Sequence, residues 1–153
     1  MDVLQLFFGF KGCINRARYW MANAALLILM LVLALLQYGL TVAAGEIVAA
    51  VFGCIVFVVM MLSGFALGAK RLHDRDRSSW LLLFQYIPVL IIVPAIFINN
   101  AFLILLGTAF GITVAISLFV ELGCLRGTIG PNRFGPDPLE REAQLAIRSD
   151  QGY

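Results

Sequence analysis

His73 is the only histidine in the chain, and it stands beside Asp74 in the densest run of charge, Lys70-Arg71-Leu72-His73-Asp74-Arg75-Asp76-Arg77-Ser78-Ser79-Trp80. Seven ionisable side chains fall within the eight positions from Lys70 to Arg77. A carboxylate next to an imidazole favours the protonated ring, so His73 and Asp74 could work as an acid–base pair. No nucleophile is evident beside them. A tight segment cross-linked by its own ion pairs and resting on lipid headgroups is the better reading, with no catalytic residue. Metal binding is disfavoured, because one His and two Asp would share the loop with four adjacent cations. The chain holds no HExxH, no cysteine cluster and no Gly-rich phosphate loop followed by Lys, so no metal or cofactor is expected. Cys13, Cys54 and Cys124 lack metal-ligand spacing and are expected to be free thiols.

Glu121 is the one charge written into an apolar run. A carboxylate at the centre of a bilayer costs about 2.5–3.5 kcal/mol on insertion scales, and less near a helix end. Lys70 and Arg71 close another run at the same level, so we expect a buried ion pair between Glu121 and Arg71 or a neighbouring cation. A proton relay would need a second charged group at mid-membrane depth. Gln37, Gln85 and Ser117 do not form such a path.

The elements that must position these residues are read from where charge is missing. All eleven Lys and Arg lie in three segments: Lys11, Arg16 and Arg18; the four between Lys70 and Arg77; and Arg126, Arg133, Arg141 and Arg148. The chain is 61% hydrophobic and only 13% charged, against roughly 25% charged in soluble domains. We expect spans over 20–42, 47–69, 80–98 and 101–123. At 1.5 Å rise per residue the first two each reach roughly 34 Å, enough for a hydrocarbon layer of ~30 Å. The fold class is an all-α integral membrane protein, a bundle of four transmembrane helices. Basic residues on one side only place both termini and the central loop 70–79 in the cytoplasm. Residues 1–19, with apolar clusters among Lys11, Arg16 and Arg18, read as an interfacial segment, and 124–153 as a cytoplasmic tail. Val42-Ala43-Ala44 resembles a signal cleavage site, but the run before it is longer than a signal core, so we read it as a retained span. A formal charge of +2 is too small to suggest nucleic acid, and suits juxtamembrane anchoring on anionic headgroups.

Finer features shape the bundle. Pro88 and Pro94 should kink or partly unwind the third span. Gly64 with Gly68 and Gly107 with Gly111 form two GxxxG pairs, expected to pack inside one bundle, with dimerisation as the competing use. The outer connections, around Ala44-Gly45-Glu46 and Asn99-Asn100, leave no room for a domain. Residues 126–138 are turn chemistry, after which Asp137 caps a short helix opened by Pro138. Disorder is expected from Ser149.

Three stretches carry a resemblance. Phe10-Lys11-Gly12-Cys13-Ile14-Asn15-Arg16-Ala17-Arg18-Tyr19-Trp20 resembles the opening motif of the YhaH/YhaI-like family of small bacterial inner-membrane proteins, a domain of unknown function. Lys70 to Trp80 matches its central Arg-Leu-His-Asp signature, and Gly130 to Pro138 matches its C-terminal one. The family usually has Arg where this chain has Cys13. The resemblance implies a bacterial inner-membrane protein but brings no reaction, substrate or catalytic residue. With all three motifs on one side, Arg16, Arg71, His73, Asp74, Arg75, Asn132, Arg133 and Asp137 are expected to converge in a polar cap above the bundle. Three functions then compete. One is a non-catalytic module whose cap binds anionic lipid or a protein partner. The others are a small oligomeric transporter or channel, and a membrane enzyme acting on lipid headgroups.

Overall fold

The computed structural model describes residues 2–140 together with Ala143, Gln144 and Ile147. The expectation of disorder from Ser149 lies outside the described residues. Helix α1 (Val3–Phe8) is followed by α2 (Arg16–Ala44), α3 (Glu46–Asp74), a 3-10 stretch (Ser79–Tyr86), α4 (Ile87–Phe97) and α5 (Ala101–Phe119), which ends in a π-helical turn (Val120–Cys124). Four of these stretches, the 3-10 segment and α4 counting as one, are long and apolar enough to cross a membrane. Their outward faces are apolar too: Leu35, Ile47, Phe97 and Phe102 all lie largely exposed. Helices apolar all round suit a hydrocarbon solvent, in which only their ends and mutual contacts need polar partners.

Helix starts and stops obey local chemistry. Asn15 caps α2 by accepting a hydrogen bond from the Arg18 N–H at 2.8 Å. Gly45, at φ 85°, turns α2 into α3, a left-handed conformation that glycine adopts without Cβ strain. At the second outer turn, Asn99 takes φ 50° and Asn100 caps α5 through the Leu103 N–H at 3.1 Å. Asparagine serves both roles because its short amide tolerates the left-handed region and accepts backbone hydrogen bonds. Within the membrane-spanning part, Gln37 donates to the Ala49 carbonyl at 2.7 Å, tying α2 to α3. Gly53 makes room for that amide: a Cβ there would stand 3.1 Å from Gln37 Nε2.

Helix α3 does not stop at residue 69. It runs on through Lys70–Asp74, so half of the expected central loop is helical. Nothing in Lys-Arg-Leu-His-Asp breaks a helix, and the stop comes where Asp76 takes φ 55°. There the Arg77 N–H reaches back to the Leu72 carbonyl at 2.9 Å and the Asp76 N–H to the His73 carbonyl at 3.0 Å. That is a Schellman ending, with Asp in the position glycine usually fills.

The third span is partly unwound. Pro88 stands at the start of α4 and Pro94 inside it. Pro88 has no N–H to give the preceding turn, and its ring crowds the carbonyl four residues back, so the chain tightens to 3-10 geometry before it. Both glycine faces receive this span rather than each other. A Cβ on Gly68 would come 3.0 Å from Leu82, one on Gly107 2.7 Å from Ile92, and one on Gly111 3.3 Å from Pro88. Gly64 meets nothing within 4 Å.

These contacts predict a contrast between two matched substitutions. Gly107→Ala should cost about 1–3 kcal/mol by overpacking, while Gly64→Ala should stay within about 0.5 kcal/mol. Thermal unfolding in detergent checks both, and equal shifts would contradict the packing described.

Candidate functional site

The last turn of α3 organises one end of the molecule. Lys70 and Arg71 are wholly buried there. Lys70 Nζ donates to the Gln5 carbonyl at 2.6 Å and also to that of Leu6. The ammonium thus binds the carbonyls at the C-terminal end of α1, sharing that of Gln5 with the Gly9 N–H. Ile14, Ala22 and Leu67 pack beneath, with Leu6 and Phe7 of α1 against them.

Arg71 faces the end of the fourth span. Its Nε donates to the Leu122 carbonyl at 2.9 Å, one terminal nitrogen to the Leu125 carbonyl, and the other to the Asp74 carboxylate. Arg75 donates to the Glu121 carbonyl at 3.2 Å, and Arg16 to that of Cys124 at 3.0 Å. Three arginines, from the start of α2 and the end of α3, therefore meet carbonyls freed where the fourth span unwinds. A helix C-terminus carries partial negative charge, so cations are favoured there.

Glu121 pairs with Arg75, 2.5 Å from one carboxylate oxygen, and Arg77 Nε lies 3.6 Å from the other. Of the partners expected for Glu121, Arg71 is not the one taken; the pair forms with a neighbouring cation, Arg75. Arg71 is turned inward to the carbonyls and Asp74, while the end of α3 swings Arg75 and Arg77 over Glu121.

The C-terminal segment folds back onto this turn. Thr128 donates its N–H and hydroxyl to the Asp74 carbonyl at 2.9 and 3.0 Å. Asn132 donates to the His73 carbonyl at 2.9 Å and accepts from the Phe134 N–H. Asn132 and Gly135 exchange backbone hydrogen bonds at 3.0 and 3.1 Å, closing a tight turn with Arg133 and Phe134 at its tip. Phe134 stacks on His73 with ring centroids 4.0 Å apart, and the Arg133 guanidinium lies 4.7 Å above Phe134. Arg133 Nε also sits 2.9 Å from an Asp76 oxygen. Asp137 accepts from the Gly130 and Leu139 N–H groups, capping the helical turn that Pro138 opens.

All eight nominated cap residues thus lie at one end of the bundle, but most of their polar atoms are used internally. Among the described residues no hydrogen bond joins His73 to Asp74. His73 Nε2 meets Ser79 Oγ at 3.1 Å, whereas the Asp74 carboxylate turns to Arg71. The side chains leave α3 in different directions, so the acid–base pairing suggested by adjacency is not made.

What adjacency did not disclose is a cavity of about 380 Å³ whose lining includes Asn15, Arg16, Asp74, Arg126, Thr128 and Asp137. Gly127 lets the chain pass there, since a Cβ on it would overlap the Asp74 carboxylate. Arg126 is exposed and makes no hydrogen bond or ion pair among the described residues. Neither it nor Thr128 stood out from the turn-rich stretch around it. A second cavity, about 490 Å³, lies between the spans, lined by Gly64, Gly68, Gln85, Tyr86 and Gly111 among mainly apolar side chains.

Cys13 sits under the cap, its Sγ 3.9 Å from Asn132 Oδ1. Burial and then the Asp74 charge push its thiol up to about 11. It is a neutral packing group and not a thiolate nucleophile at ordinary pH.

Set beside known proteins, the arrangement has relatives. The family model described as "Protein of unknown function (DUF805)" matches residues 7–136. The chain belongs to the DUF805 family. It is 34% identical over 141 residues to the inner membrane protein YhaH of Escherichia coli strain K12, covering 90% of this chain and 93% of that one. To the inner membrane protein YhaI of the same strain it is 30% identical over 139 residues, covering 90% and 92%. No solved structure matches the chain. With four long apolar helices and these relatives, this DUF805 member is a multi-pass protein of the inner-membrane type.

The two kinds of arginine should separate in stability measurements. Arg71→Ala strands buried partners and should cost about 3–5 kcal/mol. Arg133→Ala removes a pair whose arginine side chain is 60% exposed and should cost about 1 kcal/mol or less. Thermal unfolding of both variants provides the comparison. For Cys13, maleimide labelling of a Cys54→Ser/Cys124→Ser variant should rise about tenfold per pH unit between pH 7 and 9, without a plateau, as expected when the thiolate is the reactive species. A plateau below pH 9 would contradict the raised value.

Proposed function

We propose that this protein is a non-catalytic membrane module whose polar cap binds the phosphate of phospholipid headgroups on the cytoplasmic side. The observation that carries this reading is the cavity bearing Arg16 and Arg126 on its walls. Most cap cations are spent on carbonyls or carboxylates of the chain itself, whereas Arg126 is spent on none among the described residues. A guanidinium held at a membrane surface without an internal partner suits a phosphate, which it can grip through two parallel N–H bonds. Arg16, the Lys70–Arg77 segment and Arg133 also share one end of the bundle, and the positive-inside asymmetry of the sequence supports placing that end, with both termini, in the cytoplasm.

The other readings have less to draw on. An enzyme needs His73 beside an open substrate space. Here its ring is covered by Phe134 and bonded to Ser79, and it lines neither cavity described above. A transporter would draw on the cavity between the spans, where Gln85, Tyr19 and Tyr86 are the polar side chains and no charged group contributes to the lining.

Native mass spectrometry of the protein released from phospholipid nanodiscs tests the proposal. The wild type should retain phospholipid, and Arg126→Gln should retain it at least about threefold less. Since Arg126 makes no internal bond among the described residues, such a loss would not be a folding effect. Equal retention by the two proteins would overturn the reading.

A further inference from the structure

The cap cavity is not uniformly basic. Besides the charges of Arg16 and Arg126, its lining includes Asp74 and Asp137, with Asn15 and Thr128 as neutral polar residues. Both aspartates are nearly buried, at 4% and 9% exposure. Asp74 gives one oxygen to Arg71, while its Oδ1 takes no hydrogen bond among the described residues. Asp137 accepts two backbone N–H bonds but has no ion-pair partner among the described residues. An ionised carboxylate offers about four acceptor positions, and a buried one is costly unless its charge is balanced. A purely anionic ligand would satisfy the arginines and leave the two carboxylates opposed to it.

From this we infer that the cavity takes a phosphate ester that also carries a primary ammonium, the chemistry of an ethanolamine or serine phospholipid headgroup. The phosphate lies against Arg126 and Arg16, and the ammonium donates hydrogen bonds to Asp74 Oδ1 and Asp137. At ~30 Å³ per water, about 380 Å³ is room for roughly a dozen waters. A phosphoethanolamine group occupies less than that and shares the space with water. The requirement for a primary amine comes from hydrogen bonding: a trimethylated nitrogen keeps the charge but has no N–H to give.

This inference rests on the reading of the cap as a phospholipid site, and the test keeps the two apart. The full-length protein is placed in nanodiscs containing equal parts of phosphatidylethanolamine, phosphatidylcholine and phosphatidylglycerol, and the retained lipid is identified by native mass spectrometry. A parallel arm adds soluble O-phosphoethanolamine to the detergent-solubilised protein. Phosphatidylethanolamine should be retained at least about fivefold over each of the others, with the preference lost in Arg126→Gln. Binding of soluble O-phosphoethanolamine with no retained lipid would uphold the ligand chemistry and make its source a free metabolite. Retention of phosphatidylglycerol or phosphatidylcholine at least equal to phosphatidylethanolamine would overturn the ammonium requirement while leaving the phospholipid site standing. No retained lipid and no soluble binding would overturn both.

Discussion

The structure depends on how the fourth span ends. A helix leaves its last carbonyls without partners, and near hydrocarbon water is a poor substitute. Here the helix unwinds through Val120–Cys124, and the carbonyls of Glu121, Leu122, Cys124 and Leu125 each accept from an arginine. The end of α3 supplies two of these arginines, Arg71 in its last turn and Arg75 just after it, and the first turn of α2 the third. Around that clamp the remaining contacts fall into place. Lys70 draws α1 down on one side, and the carbonyls of His73 and Asp74 hold the returning C-terminal segment on the other. A single turn of helix thus serves as donor to the N-terminal helix and as acceptor for the C-terminal segment.

The cap and the spans divide two tasks that soluble proteins combine. Among the spans, association rests on close approach: glycines against Leu82, Ile92 and Pro88, and one amide from Gln37. No hydrophobic drive favours such contacts in lipid, so shape has to. At the polar end the chemistry is almost wholly hydrogen bonding and charge. The unwound start of the third span joins the two regimes, since Leu82 packs on Gly68 while Ser79, at the head of the same stretch, meets His73.

Much of this was legible in the residues, for reasons that differ by level. Four apolar runs and the spacing of Lys and Arg give the helices, because hydrocarbon admits few other arrangements of a single chain. Pro88 and Pro94 announce an irregular third span. Partner choice was less accessible. Arg71, Arg75 and Arg77 are near-equivalent on paper as partners for Glu121, and only the helix running on to Asp74 and the left-handed Asp76 decide which one faces it. Likewise His73 and Asp74, neighbours in sequence, point about 100° apart around a helix. The cavity was hidden for the same reason: its lining comes from four stretches between Asn15 and Leu139, joined only by the fold.

The reach of the cap contacts along the chain has a consequence for biogenesis. Lys70 bonds across 65 residues to Gln5, Arg16 across 108 to Cys124, and Cys13 across 119 to Asn132. A ribosome delivers the N-terminal motif first, yet it cannot dock until the second span has emerged. Nor can Arg16 and Cys13 meet Cys124 and Asn132 until the fourth span has been made. Closing such long loops is slow compared with helix formation. The contacts that close the cap therefore form only after the last span has been made, so cap assembly is a late step set by the whole length of the chain and not by its start.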